Sequence, residues 1–202
     1  APADLQLSLQ VRREAALARR QNLSVPTSSM MGAVTIIISD MEGFTQMTEA
    51  LGDSGAHRVM QEHNRIVRRQ VHAHRGHELE LQGDSFLLAF LDRVAALHCA
   101  AAIQRDFNEH NRRHGQRPIR VRMGIHTGEA IKDTGKFFGK TVIVASRVSA
   151  KALGGEILVT ETTSAGLEAE RAMSFGDERS YELKGLSGEY RVRPMHWQSR
   201  SA

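Results

Sequence analysis

The stretch "ELELQGDSFLLAF", Glu78 to Phe90, holds two short apolar runs separated by Gln82-Gly83-Asp84. Glycine permits a tight reversal, so the segment reads as strand, turn and strand, with one carboxylate presented at the bend. Outward from this hairpin, "AVTIIIS" (33–39) is a continuous β-branched run, the pattern of a strand buried on both faces. "GAHRVMQEHNRIVRRQVHAH" (55–74) places Val59, Met60, His63, Ile66 or Val67, and Gln70 or Val71 on one helical face. "VAALHCAAAIQRDFNEHNRR" (94–113) is a second helix. "IRVRMGIHTG" (119–128) is a strand turning Ile119, Val121, Met123 and Ile125 inward. "KTVIVASRVSAKAL" (140–153) predicts a third helix closed by Gly154-Gly155. "EILVT", "MSFGDERSYELK" and "YRVRPMHW" supply the last strands. The expectation is an α+β domain with one mixed sheet and helices packed mainly on one face.

The chain has 202 residues, 41% of them hydrophobic, which suits one domain with a short appendage. Its charge balance, 27 − 23 = +4, is too diffuse to argue for nucleic acid. The basic helix from Arg58 to Arg75 lacks interleaved aromatics and reads as a solvated face. Cys99 is the single cysteine, set in a helical apolar pattern, so neither a disulfide framework nor a thiolate metal cluster is expected. A reducing, cytoplasmic setting follows, with no membrane span in this chain. Residues 1–30 read as a helical linker, 31–197 as the domain and 198–202 as a tail. Residues 1–24 are where an upstream sensor would connect.

Asp40 ends the first strand in "IIISDMEGFT", just before a Gly-Phe-Thr turn. If the sheet sets that strand beside the hairpin, Asp40 and Asp84 flank one point, as a pair of divalent cations requires. Taken singly, Asp40 is equally a helix N-cap and Asp84 a turn residue. His110 and His114 have i, i+4 spacing but lack an acidic ligand pattern nearby, and His126 reads as structural at a strand end.

In order and spacing, "SDMEGFT", "LQGDSFLLAF", "VRMGIHTGEA", "GKTVIVASRV" and "YELKGL" resemble the class III nucleotidyl cyclase catalytic domain, the adenylyl/guanylyl cyclase fold. The resemblance covers roughly 31–195 and implies a ferredoxin-like palm with two divalent cations, Mg²⁺ or Mn²⁺, on Asp40 and Asp84. It also implies head-to-tail homodimers whose two active sites are shared across the interface. Within it, Arg147 matches the transition-state arginine and Lys184 the lysine that neutralises the terminal phosphates. Phe44 and Thr45, in the first motif, fall among the substrate-binding positions. The reaction implied is attack of a ribose 3′-hydroxyl on the α-phosphate of GTP or ATP.

Two positions depart from the family, Lys136 and Ile143, while Glu80 is the glutamate typical of its guanylyl cyclases. The two base-reading positions carry Glu80 and Lys136. A carboxylate takes the N1–H and N2–H₂ donors of guanine and an ammonium gives to its O6, whereas adenine mismatches both, at about 1–3 kcal/mol per unpaired group. That chemistry favours GTP, with an adenylyl cyclase as the alternative. Ile143 stands where asparagine is common, and loss of one preorganised donor typically costs about 10²–10³ in kcat. A catalytically weak nucleotide-binding module is therefore the third reading.

Overall fold

The computed structural model describes residues 32–115, 118–133, 136–168 and 173–198. The expected helical linker, residues 1–30, lies outside them. The elements run β1 (Gly32–Met41), α1 (Phe44–Ala73), β2 (His77–Gln82), β3 (Ser85–Phe90), α2 (Arg93–Arg113), β4 (Val121–Asp133), β5 (Lys136–Phe138), α3 (Lys140–Ser149), β6 (Ile157–Thr160), α4 (Glu161–Ser164), β7 (Ser174–Phe175), β8 (Arg179–Glu182) and β9 (Glu189–His196). The sheet order is β2-β3-β1-β4-β6-β9-β7, with β5 extending from β4 and β8 paired to β9. The β4–β6 pairing is parallel and the others are antiparallel, so the sheet is mixed as the sequence predicts.

β1 is central, and both its faces are covered. Ile37 and Met41 point into the main core with Ile66, Val67 and Val71 of α1 and Leu97, Ile103 and Phe107 of α2. Val34 and Ile36 point the other way, against Ala145 of α3. This is why the strand carries no polar alternation: each inward aliphatic adds about 1.5–3 kcal/mol on burial, whichever face it takes. The two long helices thus share one face, as expected, and the shorter α3 covers the other. Ile119, Val121, Met123 and Ile125 are all buried, as their alternation predicts. Cys99 is fully buried, and burial pushes its thiol up to about 12.

Some boundaries differ from the sequence reading. α1 starts eleven residues before Gly55, at Phe44, because the chain kinks at Gly52 (φ 66°, ψ 171°) and resumes as helix. α3 stops at Ser149 with Ala150 as its cap, so Gly154-Gly155 does not close it. Those glycines instead tie down the loop: Gly154 N–H donates to Glu42 Oε1 (3.0 Å) and Gly155 N–H to the Val121 carbonyl (2.9 Å). Asp40 is not a helix N-cap; that position is Gly43, in left-handed conformation (φ 73°) and with no side-chain cap. Lys136 belongs to the β4–β5 hairpin, and His126 lies within β4 rather than at a strand end.

Candidate active site

The antiparallel register brings the two aspartates together. Ser39 pairs with Phe86, so Asp40, one step on, faces the turn from which Gly83 (φ +59°) and Asp84 lead into β3. Met41 N–H donates to Asp84 Oδ2 (3.2 Å), and Ser85 Oγ donates to Asp40 Oδ1 (2.6 Å). On the other side Arg122, the register partner of Asp40 in β4, donates through Nε to Asp40 Oδ2 (2.8 Å). Burial, and secondarily the neighbouring Asp40 carboxylate, hold the Asp84 carboxyl above its usual range.

Two half-buried carboxylates that repel each other are a donor set a divalent cation would relieve. Among the described residues no group of three or more His, Cys, Asp or Glu side chains is placed to hold a metal. Two carboxylates are a donor set that suits Mg²⁺ or Mn²⁺, which accept one or two carboxylates and complete their shell with substrate phosphates and water.

Phe44 and Thr45 open α1 beside this pair. Phe44 packs partly against the core and Thr45 is exposed. The helix begins without a side-chain cap, which leaves its first N–H groups directed at the space before it.

Glu80 and the α3 residues Ile143 and Arg147 lie on the α3 side of the sheet. Glu80 arrives there through a β-bulge. Glu78 pairs with Leu88 and Glu80 with the next residue back, Leu87, so Leu79 is the extra residue. In a regular strand Glu78 and Glu80 would share a face. The bulge splits them. Glu78 meets Arg68 of α1 (2.7 Å), while Glu80 lines a pocket of about 270 Å³ with Ile38, Leu87, and Val142 and Ser146 of α3. Ile143 is 47% exposed on α3, one turn before Arg147.

Arg147 Nε donates to the Lys184 carbonyl (3.2 Å), and the two residues line one groove of about 820 Å³ with Lys151, Glu182 and Glu189. Lys136 opens β5 opposite Asp133, at the tip of the β4–β5 hairpin. Its side chain lies outside what the structure describes, as does any contact it makes with a base. The structure thus unites Asp40 with Asp84 and Arg147 with Lys184. Among the described residues, neither aspartate lines the groove of Arg147 and Lys184.

Sequence reasoning missed Arg122. Its signal was the alternation of β4, which turns Val121 and Met123 inward and leaves Arg122 on the opposite face, where Asp40 also points. His126 belongs to a chain of hydroxyls rather than to the carboxylates. Its Nδ1 lies 2.9 Å from Thr160 Oγ1, and burial, with the Lys140 charge second, depresses the ring to about 4.

Residues 27–197 match the family model described as "Adenylate and Guanylate cyclase catalytic domain". The chain belongs to this family. It is 26% identical over 216 residues to an adenylate cyclase of Podospora anserina, covering 87% of this chain and 10% of that protein. In eight curated relatives that it matches, the chain spans between 6% and 50% of the relative's length. The fold is also that of the adenylyl cyclase CyaB from P. aeruginosa, with a TM-score of 0.76 and 21% identity over 86% of this chain and 98% of that one. The guanylyl cyclase Cya2 superposes with a TM-score of 0.74 at 22% identity, over 84% and 94% of the two chains. No helix among the described residues is long and apolar enough to cross a membrane.

Proposed function

We propose that the domain cyclises a purine nucleoside triphosphate to its 3′,5′-cyclic monophosphate and pyrophosphate, in a homodimer with two shared sites. The observation that carries this reading is the division of charge within one chain. The acidic pair sits at the β1 and hairpin ends, and the cations Arg147 and Lys184 line a separate groove on the α3 side. A head-to-tail dimer would place each half-site against the other half of its partner.

In the reaction, the bond from O3′ to the α-phosphorus forms as the bond to the pyrophosphate oxygen breaks, and the 3′-hydroxyl loses its proton. Two divalent cations held by Asp40 and Asp84 would lower the cost of that proton loss and of the charge on the leaving group. Arg147 presents a planar cationic fork to the α-phosphate, and Lys184 meets the terminal phosphates as a point charge. The uncapped start of α1 at Phe44 and Thr45 offers backbone N–H groups to the phosphates. Arg122 holds Asp40 in place when no cation does, and its guanidinium is free to turn to a phosphate oxygen once one arrives. Glu80 accepts from the guanine N1–H and N2–H₂ edge, which favours GTP; Lys136 is assigned to O6.

A second reading, a domain that binds nucleotide with little turnover, rests on Ile143. Its side chain, exposed on α3 one turn before Arg147, has no hydrogen-bonding group, and a missing donor of this kind costs about 2.7–4 kcal/mol of transition-state stabilisation.

The deciding experiment supplies equal GTP and ATP with Mn²⁺ or Mg²⁺ and quantifies both cyclic products beside an Asp84→Asn control. We expect cyclic GMP in excess, abolished in the control. Excess cyclic AMP would overturn the guanine assignment but keep the cyclase. No product above the control, with nucleotide still bound, would establish the second reading.

A further inference from the structure

The pocket beside Glu80 contains a second polar side chain from the same strand. Gln82 lines it together with Glu80, Ser146 and the aliphatics Ile38, Leu87 and Val142. The register explains why. After the bulge at Leu79, Glu80 pairs with Leu87 and Gln82 with Ser85, so both face α3, while Leu81 pairs with Phe86 and turns to the main core. Their Cα atoms are therefore about 6.8 Å apart along one strand face. Ile38, Leu87 and Val142 are only partly buried, and apolar walls around two or three polar groups are the composition of a site for a planar ring. Ser85, another lining residue, donates to Asp40, which places the pocket next to the acidic pair.

We infer that Gln82 is a base-reading residue, contacting the purine at position 6 beside Glu80. The inference rests on the cyclase reading above. A carboxamide both donates and accepts. With guanine, Gln82 Nε2–H₂ donates to O6 while the Glu80 carboxylate accepts from N1–H and N2–H₂. With adenine, the amide turns over and Oε1 accepts from N6–H₂, but Glu80 then faces the N1 lone pair. Gln82 thus tolerates either base, and Glu80 is what prefers guanine. O6 has two lone pairs, so it can accept from Gln82 beside the donor assigned to Lys136, and the wild-type Gln82 itself adds little to the choice of base.

Fixing the polarity of residue 82 tests this. Gln82→Lys offers only donors and should raise the ratio of kcat/KM for GTP to that for ATP. Gln82→Glu offers only acceptors, repels O6 and should lower it. We expect the two variants to differ in this ratio by at least tenfold, with wild type between them. Because Gln82 is two residues from Asp84, either change can slow the reaction, but a loss common to both substrates cancels in the ratio.

If wild type turns over neither nucleotide, the cyclase reading fails on its own account. The ratio of GTP to ATP dissociation constants, measured by displacing a fluorescent GTP analogue, then carries the same test. Ratios within twofold of wild type in both variants would overturn the assignment, as would a shift in the same direction for both. So would failure of the wild-type protein to bind either nucleotide.

Discussion

His63 is a buried imidazole in an apolar slot. It is fully buried between the rings of Phe86 and Phe107, with centroids 5.5 and 5.6 Å away. Its Nδ1 lies 3.0 Å from Asn64 Oδ1, and its Nε2 has no partner among the described residues. Burial lowers its pKa from 6.5, so the folded state favours the neutral ring. Above about pH 6.5 the ring is neutral in both states and costs nothing in charge. As pH falls below that value the unfolded chain takes up a proton the folded protein resists, and stability declines toward the depressed folded value. His126, held down to about 4 by burial and Lys140, adds to the same acid limb. In urea melts from pH 7.5 to 4.5, His63→Leu should decline less steeply than wild type. It should also be more stable by about 1–2 kcal/mol at the acid end, because it removes both the titration and an unpaired nitrogen. An unchanged slope would place the acid sensitivity elsewhere.

At the scale of elements, the packing of α3 on β4 leaves no clearance. A Cβ on Gly124 would lie 2.5 Å from the Ala145 carbonyl oxygen and 2.6 Å from Ser149 Cα, both backbone atoms of the helix. Neither can rotate away, so Gly124→Ala should cost about 3 kcal/mol, at the upper end for overpacking. Gly32→Ala, where nothing lies within 4 Å, should be close to neutral in the same denaturation series. If both proved neutral, α3 would be more loosely docked than the contacts state.

The elements themselves were largely legible in the sequence. Unbroken β-branching marked β1, a glycine between apolar runs marked the hairpin, and alternation marked β4. Asp40 and Asp84 were legible as carboxylates at strand ends. Whether they meet depends on register, which no local pattern carries. The Arg122 contact was hidden for the same reason. The bulge at Leu79 left no local cue, because "ELEL" reads as a regular strand, so the separation of Glu78 and Glu80 onto opposite faces was out of reach. The Gly154-Gly155 pair looked like a helix cap because glycine serves loops and caps alike.

At the scale of the molecule, half-sites divided within one chain predict that two defective chains can repair each other. Asp84→Asn removes a carboxylate from one half, and Arg147→Ala removes the fork from the other. Each variant alone should be inactive. Mixed in equal amounts and allowed to exchange subunits, they should recover about one quarter of wild-type activity: half the dimers are mixed, and each mixed dimer has one intact site of two. Recovery would establish that sites are shared between chains. No recovery, with exchange verified by sedimentation or labelling, would mean that one chain holds a whole site.

The tight seat of α3 has a mechanical consequence. Ile143 and Arg147 ride on a short rod held against β4 at Ala145 and at its last residue, Ser149, with little slack for sliding. β4 is in turn laced to β1 along ten register pairs, from Gly32–Ala130 to Met41–Val121. Arginine, sheet and acidic pair within one chain therefore travel as a single stiff beam. In the proposed dimer, an adjustment that brings Arg147 onto a phosphate would come from tilting one beam against the other, and a signal arriving through the chain's first residues would act by changing that tilt.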